Sequence, residues 1–170
     1  MLFNFEYQDK LRVGFIGAGE HAVRNILPCL QYAPIELVAL TDPDTERGLA
    51  VARMFGARHF YPNHEAMLAK EKMDGVIIVV SPDESGKPGY VELGKATLSA
   101  GFHTLVDTPP CWEANDILHW TKPAMDSRKY LSVGYRKMFA PAYLKVEQIK
   151  KTPAFGKVTS YSLRYPVVLG

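Results

Sequence analysis

Cysteine is scarce in this sequence: Cys29 and Cys111 are the two among 170 residues. Two thiols are too few for a disulfide framework and are not spaced as a metal clip, so a reducing, cytoplasmic setting fits best. An excess of one charge is also missing. The 20 Lys and Arg nearly balance the 18 Asp and Glu, with the signs interleaved and a formal net charge of +2. That excludes a basic stripe for nucleic acid and a lysine-rich amphipathic helix for a lipid surface. No apolar run reaches the roughly 18 residues a membrane span requires. The start "MLFNFEYQDK" lacks the basic beginning and apolar core of a signal peptide. Internal repeats and low-complexity tracts are absent too. His59, His64, His103 and His119 show no metal-ligand spacing, so no metal is expected.

What is present is an ordinary globular composition, 47% hydrophobic and 22% charged, in a chain long enough to bury a core. Strand-like and helix-like periods alternate along it. "LRVGFI" (11–16), "IELVAL" (35–40), "RHFY" (58–61), "GVIIVV" (75–80), "HTLV" (103–106) and "YLSVG" (130–134) read as strands. The fourth has β-branched residues on both faces, as strands do when helices cover both sides of a parallel sheet. Between them, Val23, Ile26, Leu27 and Leu30 mark one helix face, with Pro28 set to kink it. Val51, Met54 and Phe55 mark another, closed by Gly56. The pattern predicts an α/β fold, a doubly wound parallel sheet of the Rossmann type.

The first strand runs into "GAGEHA" (17–22), a G-x-G-x-x-A turn. Gly17 permits the tight turn, Gly19 lets backbone approach a pyrophosphate, and Ala22 lets helix and strand pack closely. The phosphate charge would then meet a helix amino terminus. Asp42, at the end of the second strand, stands where an acid takes the adenosine ribose hydroxyls. A carboxylate there repels a 2′-phosphate, so NAD is favoured over NADP, although Arg47 and Arg53 follow on the next helix. The competing account makes the glycines a plain loop and Asp42 a helix cap in "DPDTER".

With these residues in place the chain resembles the glucose-fructose oxidoreductase, inositol dehydrogenase and rhizopine catabolism family (Gfo/Idh/MocA). The likeness runs from about Leu11 to Tyr165 on "RVGFIGAGEHA", "ELVALTDPD", "DGVIIVVSP", "LSAGFHTLVDTPP", "SVGYRKMFAPAY" and "FGKVTSYSLRY". It implies an NAD(P)-dependent oxidoreductase that passes a hydride between nicotinamide and a sugar, polyol or related hydroxyl compound, with a lysine assisting proton transfer. It also implies cofactor-binding roles for Gly17, Gly19, Glu20, His21, Asp42, Ser81, Pro82 and Asp107.

Departures from the family pattern cluster at the chemistry. "DTP" (107–109) replaces the family's Glu-Lys-Pro, so Asp107 keeps the carboxylate and Thr108 stands for the lysine. Asp107 and Thr108 are therefore the candidate catalytic pair, in degenerate form. "DESGKPG" (83–89) lengthens the loop after the fourth strand, and Lys137 and Met138 occupy what is commonly an arginine pair. The resemblance further implies a second α+β domain, of which this chain holds a truncated remnant. Residues 1–134 are read as the dinucleotide-binding domain, and 135–170 as a linker helix with the first strand of that domain at "KVTSYSLRY" (157–165). An unpaired apolar strand there predicts self-association into a dimer. The alternative to an oxidoreductase is a non-catalytic NAD(H)-binding module acting as a sensor or partner subunit.

Overall fold

The apolar runs are strands because parallel pairing buries both of their faces under helices. In the computed structural model, residues 2–83, 85–87, 89–162 and 164 are described. Six of the runs become β1 (Leu11–Ile16), β2 (Ile35–Thr41), β3 (His59–Tyr61), β4 (Gly75–Ile78), β5 (His103–Val106) and β6 (Leu131–Val133). All pair in parallel, in the order β3-β2-β1-β4-β5-β6. That is the dinucleotide-fold order, with the direction of winding reversing between β1 and β4.

Alternation along β1 divides the core in two. Val13 and Phe15 join Leu27, Leu37, Leu40, Val51, Ile77 and Val79 on one side of the sheet. Ile16 joins Val38, Met67, Val76, Ile78, Leu98, Val106 and Trp120 on the other. Helix α1 (Thr45–Phe55) is capped by the Asp44 carboxylate, which accepts from Arg47 N–H at 3.0 Å, and ends at Gly56 with φ 72°. Helix α2 (His64–Lys70) is capped in the same way by Asn63. The α2 turn carries too short an apolar stripe to be read in sequence. Helix α3 (Tyr90–Ser99) packs on α4 (Leu118–Ser127) through Trp120, whose indole N–H donates to Val91 O at 2.8 Å.

The crossover after β1 departs from the expected kinked α-helix. Pro28 has no N–H to donate and its ring crowds the preceding turn. The chain widens into a π turn over Ala22–Ile26, where Leu27 N–H reaches Ala22 O, and then tightens into a 3₁₀ helix over Leu27–Tyr32. Asn4, in the arm before β1, donates its side-chain amide to the carbonyls of Ala33 and Ile35 where this crossover ends.

The chain divides into two compact units, residues 1–134 and 135–170. The second contains a 3₁₀ turn (Arg136–Phe139), helix α5 (Pro141–Lys150) opened by its proline, and a further 3₁₀ turn (Pro153–Phe155). Residues 157–162 and Arg164 have no regular secondary structure. Leu163 and Tyr165, the rest of the expected terminal strand, lie outside the described residues, as do 166–170.

Candidate functional site

Where the winding reverses, the carboxyl ends of β1, β2 and β4 surround the glycine turn. Gly17 has φ 105°, and its N–H donates to Thr41 O at the end of β2 at 2.8 Å. On the other side a Cβ at this position would lie 2.0 Å from Val79 O. Only glycine fits between the two strands in this conformation. The next N–H, of Ala18, donates to Asp42 Oδ2 at 2.6 Å, so the acid at the end of β2 also holds the turn in shape. Beyond it, the first helical bond runs from Val23 N–H to Gly19 O at 3.1 Å. The N–H groups of Gly19, Glu20 and His21 precede that bond and form the open amino end of the helix.

Asp42 is 3% exposed and well satisfied. Besides Ala18 N–H, it accepts from Asp44 N–H at 2.9 Å and from Arg47 Nη2 at 2.6 Å. Arg47 also reaches Asp44 at 3.4 Å and leaves 47% of its side chain exposed. A cleft of about 400 Å³ opens here, lined by Gly17, Gly19, Asp42, Arg47, His64 and Ser81 among others. Its size suits the adenosine half of a dinucleotide. A wider cleft of about 900 Å³, with Asn4, Lys10, Arg12, Glu36 and Arg58 in its wall, lies at the amino ends of β1 and β2. Open α/β sheets hold their ligands at the opposite edge, so the smaller cleft is the candidate site.

The other half of the crevice is built around Asp107, directly after β5 and 6% exposed. His21 crosses from the glycine turn to meet it, Nε2 to Oδ2 at 2.8 Å, while Asn25 Nδ2 lies 3.0 Å from His21 Nδ1. Asn25 on one ring nitrogen and Asp107 on the other fix the orientation of the imidazole. Thr108 is half-buried, and the Thr108–Pro109 peptide is cis. Tyr90 stands close enough to feel the Asp107 charge; its hydroxyl donates to Val80 O at 3.1 Å. Burial pushes this phenol up to about 12, and the Asp107 charge adds to the rise. It is a neutral donor at any working pH. Ser81 and Pro82 are exposed on the loop after β4, with Ser81 Oγ facing Gly19. Glu20 is turned outward in an ion pair with Arg24 at 2.9 Å, both more than 70% exposed.

The structure thus gathers Gly17, Gly19, Asp42 and Ser81 around one cleft and joins His21 to Asp107. Lys87 is exposed in the lengthened loop, where Asp83 Oδ1 accepts its backbone N–H and that of Ser85. Two pairings were not legible in the sequence. His21 and Asp107 share no local pattern, and the Asp42–Arg47 pair appears only once the first turn of α1 folds over the end of β2. Among the described residues no group of three or more His, Cys, Asp or Glu side chains is placed to hold a metal. No described helix is long and apolar enough to cross a membrane.

A six-stranded parallel sheet with a glycine wedge at its switch point and an acid at the end of β2 defines a dinucleotide-binding fold. The chain belongs to the oxidoreductase family with an NAD-binding Rossmann fold, which it matches over residues 11–135. It is 34% identical over 101 residues to a dTDP-3,4-didehydro-2,6-dideoxy-α-D-glucose 3-reductase of Streptomyces antibioticus, covering 59% of this chain and 29% of that one. It is 24% identical over 159 residues to inositol 2-dehydrogenase of Acidothermus cellulolyticus, covering 86% and 42%. The crystal structure of a dehydrogenase from Chromobacterium violaceum superposes with a TM-score of 0.78 at 27% identity, covering 88% and 42%. The chain spans less than half the length of these relatives.

Proposed function

We propose that this chain is the cofactor-binding part of an oxidoreductase acting on a sugar, polyol or related hydroxyl compound, and that it prefers NAD(H) to NADP(H). The observation that carries the reading is the Gly17 wedge, held from β2 through Thr41 O and braced by Asp42 on Ala18 N–H. These residues suit a dinucleotide: the wedge lets backbone approach a pyrophosphate, and the cleft beside Asp42 has the size of an adenosine. Bound there, the cofactor would supply the hydride acceptor or donor. The N–H groups of Gly19, Glu20 and His21 would take its phosphates, and Ser81, Pro82 and Asp107 would border its nicotinamide end.

Proton transfer is less well provided for. The Thr108 hydroxyl does not titrate near neutrality, and Tyr90 stays protonated to about pH 12. Asp107 is already engaged by His21. These features are the ground of a second reading, a non-catalytic NAD(H)-binding module, while the family match supports the first. Both readings require the cofactor, so binding is tested first.

Calorimetric titration with NADH is expected to give saturable heat, and NADH at a hundredfold its Kd should add about 2.7 kcal/mol of stability, seen as a raised melting temperature. Asp42→Ala removes both the acceptor for Ala18 N–H and the counter-ion of Arg47. Affinity for both cofactors should fall, and the preference for NADH should shrink. No heat and no thermal shift with either cofactor would refute the proposal. The two cysteines, Cys29 and Cys111, are both free thiols, in keeping with a cytoplasmic setting. The exposed Tyr143, Leu144, Val146 and Ile149 of α5 support self-association as a homo-oligomer. Light scattering is expected to report a mass above that of the monomer, and a monomer at all concentrations would contradict it.

A further inference from the structure

His21 and Asp107 join the glycine turn to the turn after β5, and their contact carries a charge that depends on a proton. The carboxylate is held in place by its own backbone, because Asp107 N–H donates to Ile78 O at the end of β4 at 3.1 Å. It is 6% exposed, and a Cβ added at Gly134 would lie 3.3 Å from its Oδ1, so that oxygen faces backbone just beyond β6. The other oxygen is the one His21 meets, Nε2 to Oδ2 at 2.8 Å. Water screens a buried charge of this kind poorly, and its field reaches into the crevice.

The imidazole is open to solvent, with 44% of the His21 side chain exposed. Asn25 lies 3.0 Å from its Nδ1, and a side-chain amide presents either its oxygen or its nitrogen after a half turn. Asn25 can therefore serve the ring in both of its charge states. Around the glycine turn Glu20 pairs with Arg24 at 2.9 Å and Asp42 with Arg47 at 2.6 Å. Tyr90, which feels the Asp107 charge, is kept neutral by its burial. Among these groups His21 is the one whose type changes charge near neutrality.

Oxidised and reduced dinucleotides carry the same phosphates and differ by one positive charge on the nicotinamide ring. Resting on the cofactor reading above, in which Asp107 borders the nicotinamide end, we propose that the His21–Asp107 pair sets the relative affinity for the two redox forms and makes it follow pH. With the imidazole neutral, the pair carries a negative charge that attracts the cationic ring of NAD⁺. With the imidazole protonated, the pair is neutral as a unit and that attraction is lost. Attraction between the imidazolium and the pyrophosphate is common to both forms and cancels in their ratio. His21 is a positioning residue in this scheme, acting on the ring through Asp107.

The test uses the 170-residue chain, titrated by calorimetry at low salt with NAD⁺, NADH and ADP-ribose from about pH 6 to pH 9, a window that spans the titration of an imidazole. The dissociation constant of NADH divided by that of NAD⁺ is expected to rise about three- to tenfold across it, the size of one unit charge acting through a partly solvated site. ADP-ribose, which has the phosphates without the ring, should follow NADH. His21→Gln keeps a donor toward Asp107 and does not titrate, so its ratio should be flat and equal to the wild-type value at high pH. Asp107→Asn should lower the ratio at high pH by the same factor. Thermal melts of each variant check that the fold persists.

A wild-type ratio that does not change with pH would overturn the inference, whatever the variants do. So would a His21→Gln ratio that still rises with pH. Failure of the wild-type chain to bind NAD⁺, NADH or ADP-ribose at every pH would overturn the cofactor reading itself and this inference with it.

Discussion

The 170-residue chain, saturated with NAD⁺, is expected to show no dehydrogenase turnover on common sugars and polyols, and Thr108→Lys is expected to leave it inactive. A longer form matching its relatives in length should instead gain on that substitution, by about 10² to 10⁴-fold, the range that general acid-base catalysis contributes. Two separate deficits produce this split. At the carboxyl end of β5 the backbone places Thr108 where the family resemblance puts a lysine, and a hydroxyl has no useful pKa near neutrality. Its neighbours do not substitute, since burial pushes Tyr90 up to about 12 and Asp107 is tied to His21 at 2.8 Å. The other deficit is positional: catalysis also needs a substrate held against the nicotinamide, and the chain spans less than half the length of its relatives. The measurement is NAD⁺ reduction, followed by the absorbance of the reduced nicotinamide over a range of enzyme concentrations. Robust reduction by the unmodified chain, abolished by Asp107→Asn, would establish the "DTP" turn as a competent active site.

Gly17→Ala is expected to abolish cofactor binding and to lower the melting temperature sharply. The added Cβ would lie 2.0 Å from Val79 O and 2.9 Å from Val79 C, both backbone atoms at the end of β4. Neither can rotate away as a flexible side chain could. The residue also has φ 105°, where an L-residue is strained by roughly 1–3 kcal/mol before any clash is counted. Relief requires moving the glycine turn off β4, and that breaks the bond from Gly17 N–H to Thr41 O and shifts Ala18 N–H from Asp42. The same change at Gly19 is a control, since among the described residues a Cβ there would meet only Ser81 Oγ, at 3.5 Å. Gly19→Ala should fold with near-normal stability and lose affinity alone, through crowding of the phosphates. Denaturation midpoints and NADH titrations on the two variants separate these outcomes. A Gly17→Ala protein with unchanged stability and affinity would mean that the wedge is not what holds the turn.

The parallel sheet was legible because its signals are local and redundant. Each of the six strands is bounded by turn residues, and β-branched runs such as "GVIIVV" mark burial on both faces. The glycine turn was legible for a related reason: strand, glycines, helix and acid follow one another within a single β-α-β unit. What escaped the reading depends on contacts between distant segments or on backbone geometry. The helix face of Val23, Ile26, Leu27 and Leu30 gave the correct buried stripe, yet Pro28 replaced the α ladder by a π turn and a 3₁₀ helix instead of a simple kink. Asp42 read as a ribose acceptor from its position alone. Its burial at 3% and its pairing with Arg47 follow from α1 turning back over β2, which no periodicity records. His21 and Asp107 are joined by the sheet order, which sets β1 two strands from β5.

The broken crossover also determines how the anion site obtains its attraction. A continuous α-helix after the glycine turn would line up several turns of peptide dipoles behind the phosphates. The π turn over Ala22–Ile26 and the 3₁₀ helix over Leu27–Tyr32 interrupt that alignment within two turns. Since a helix field is supplied mainly by its terminal turn, little is lost at the phosphates themselves. The grip on an anion becomes a short-range property of the amides of Gly19, Glu20 and His21. The segment beyond Pro28 is thereby released from electrostatic duty, and its sequence answers to packing, on the sheet through Leu30 and on the amino-terminal arm through Tyr32, which meets Phe3.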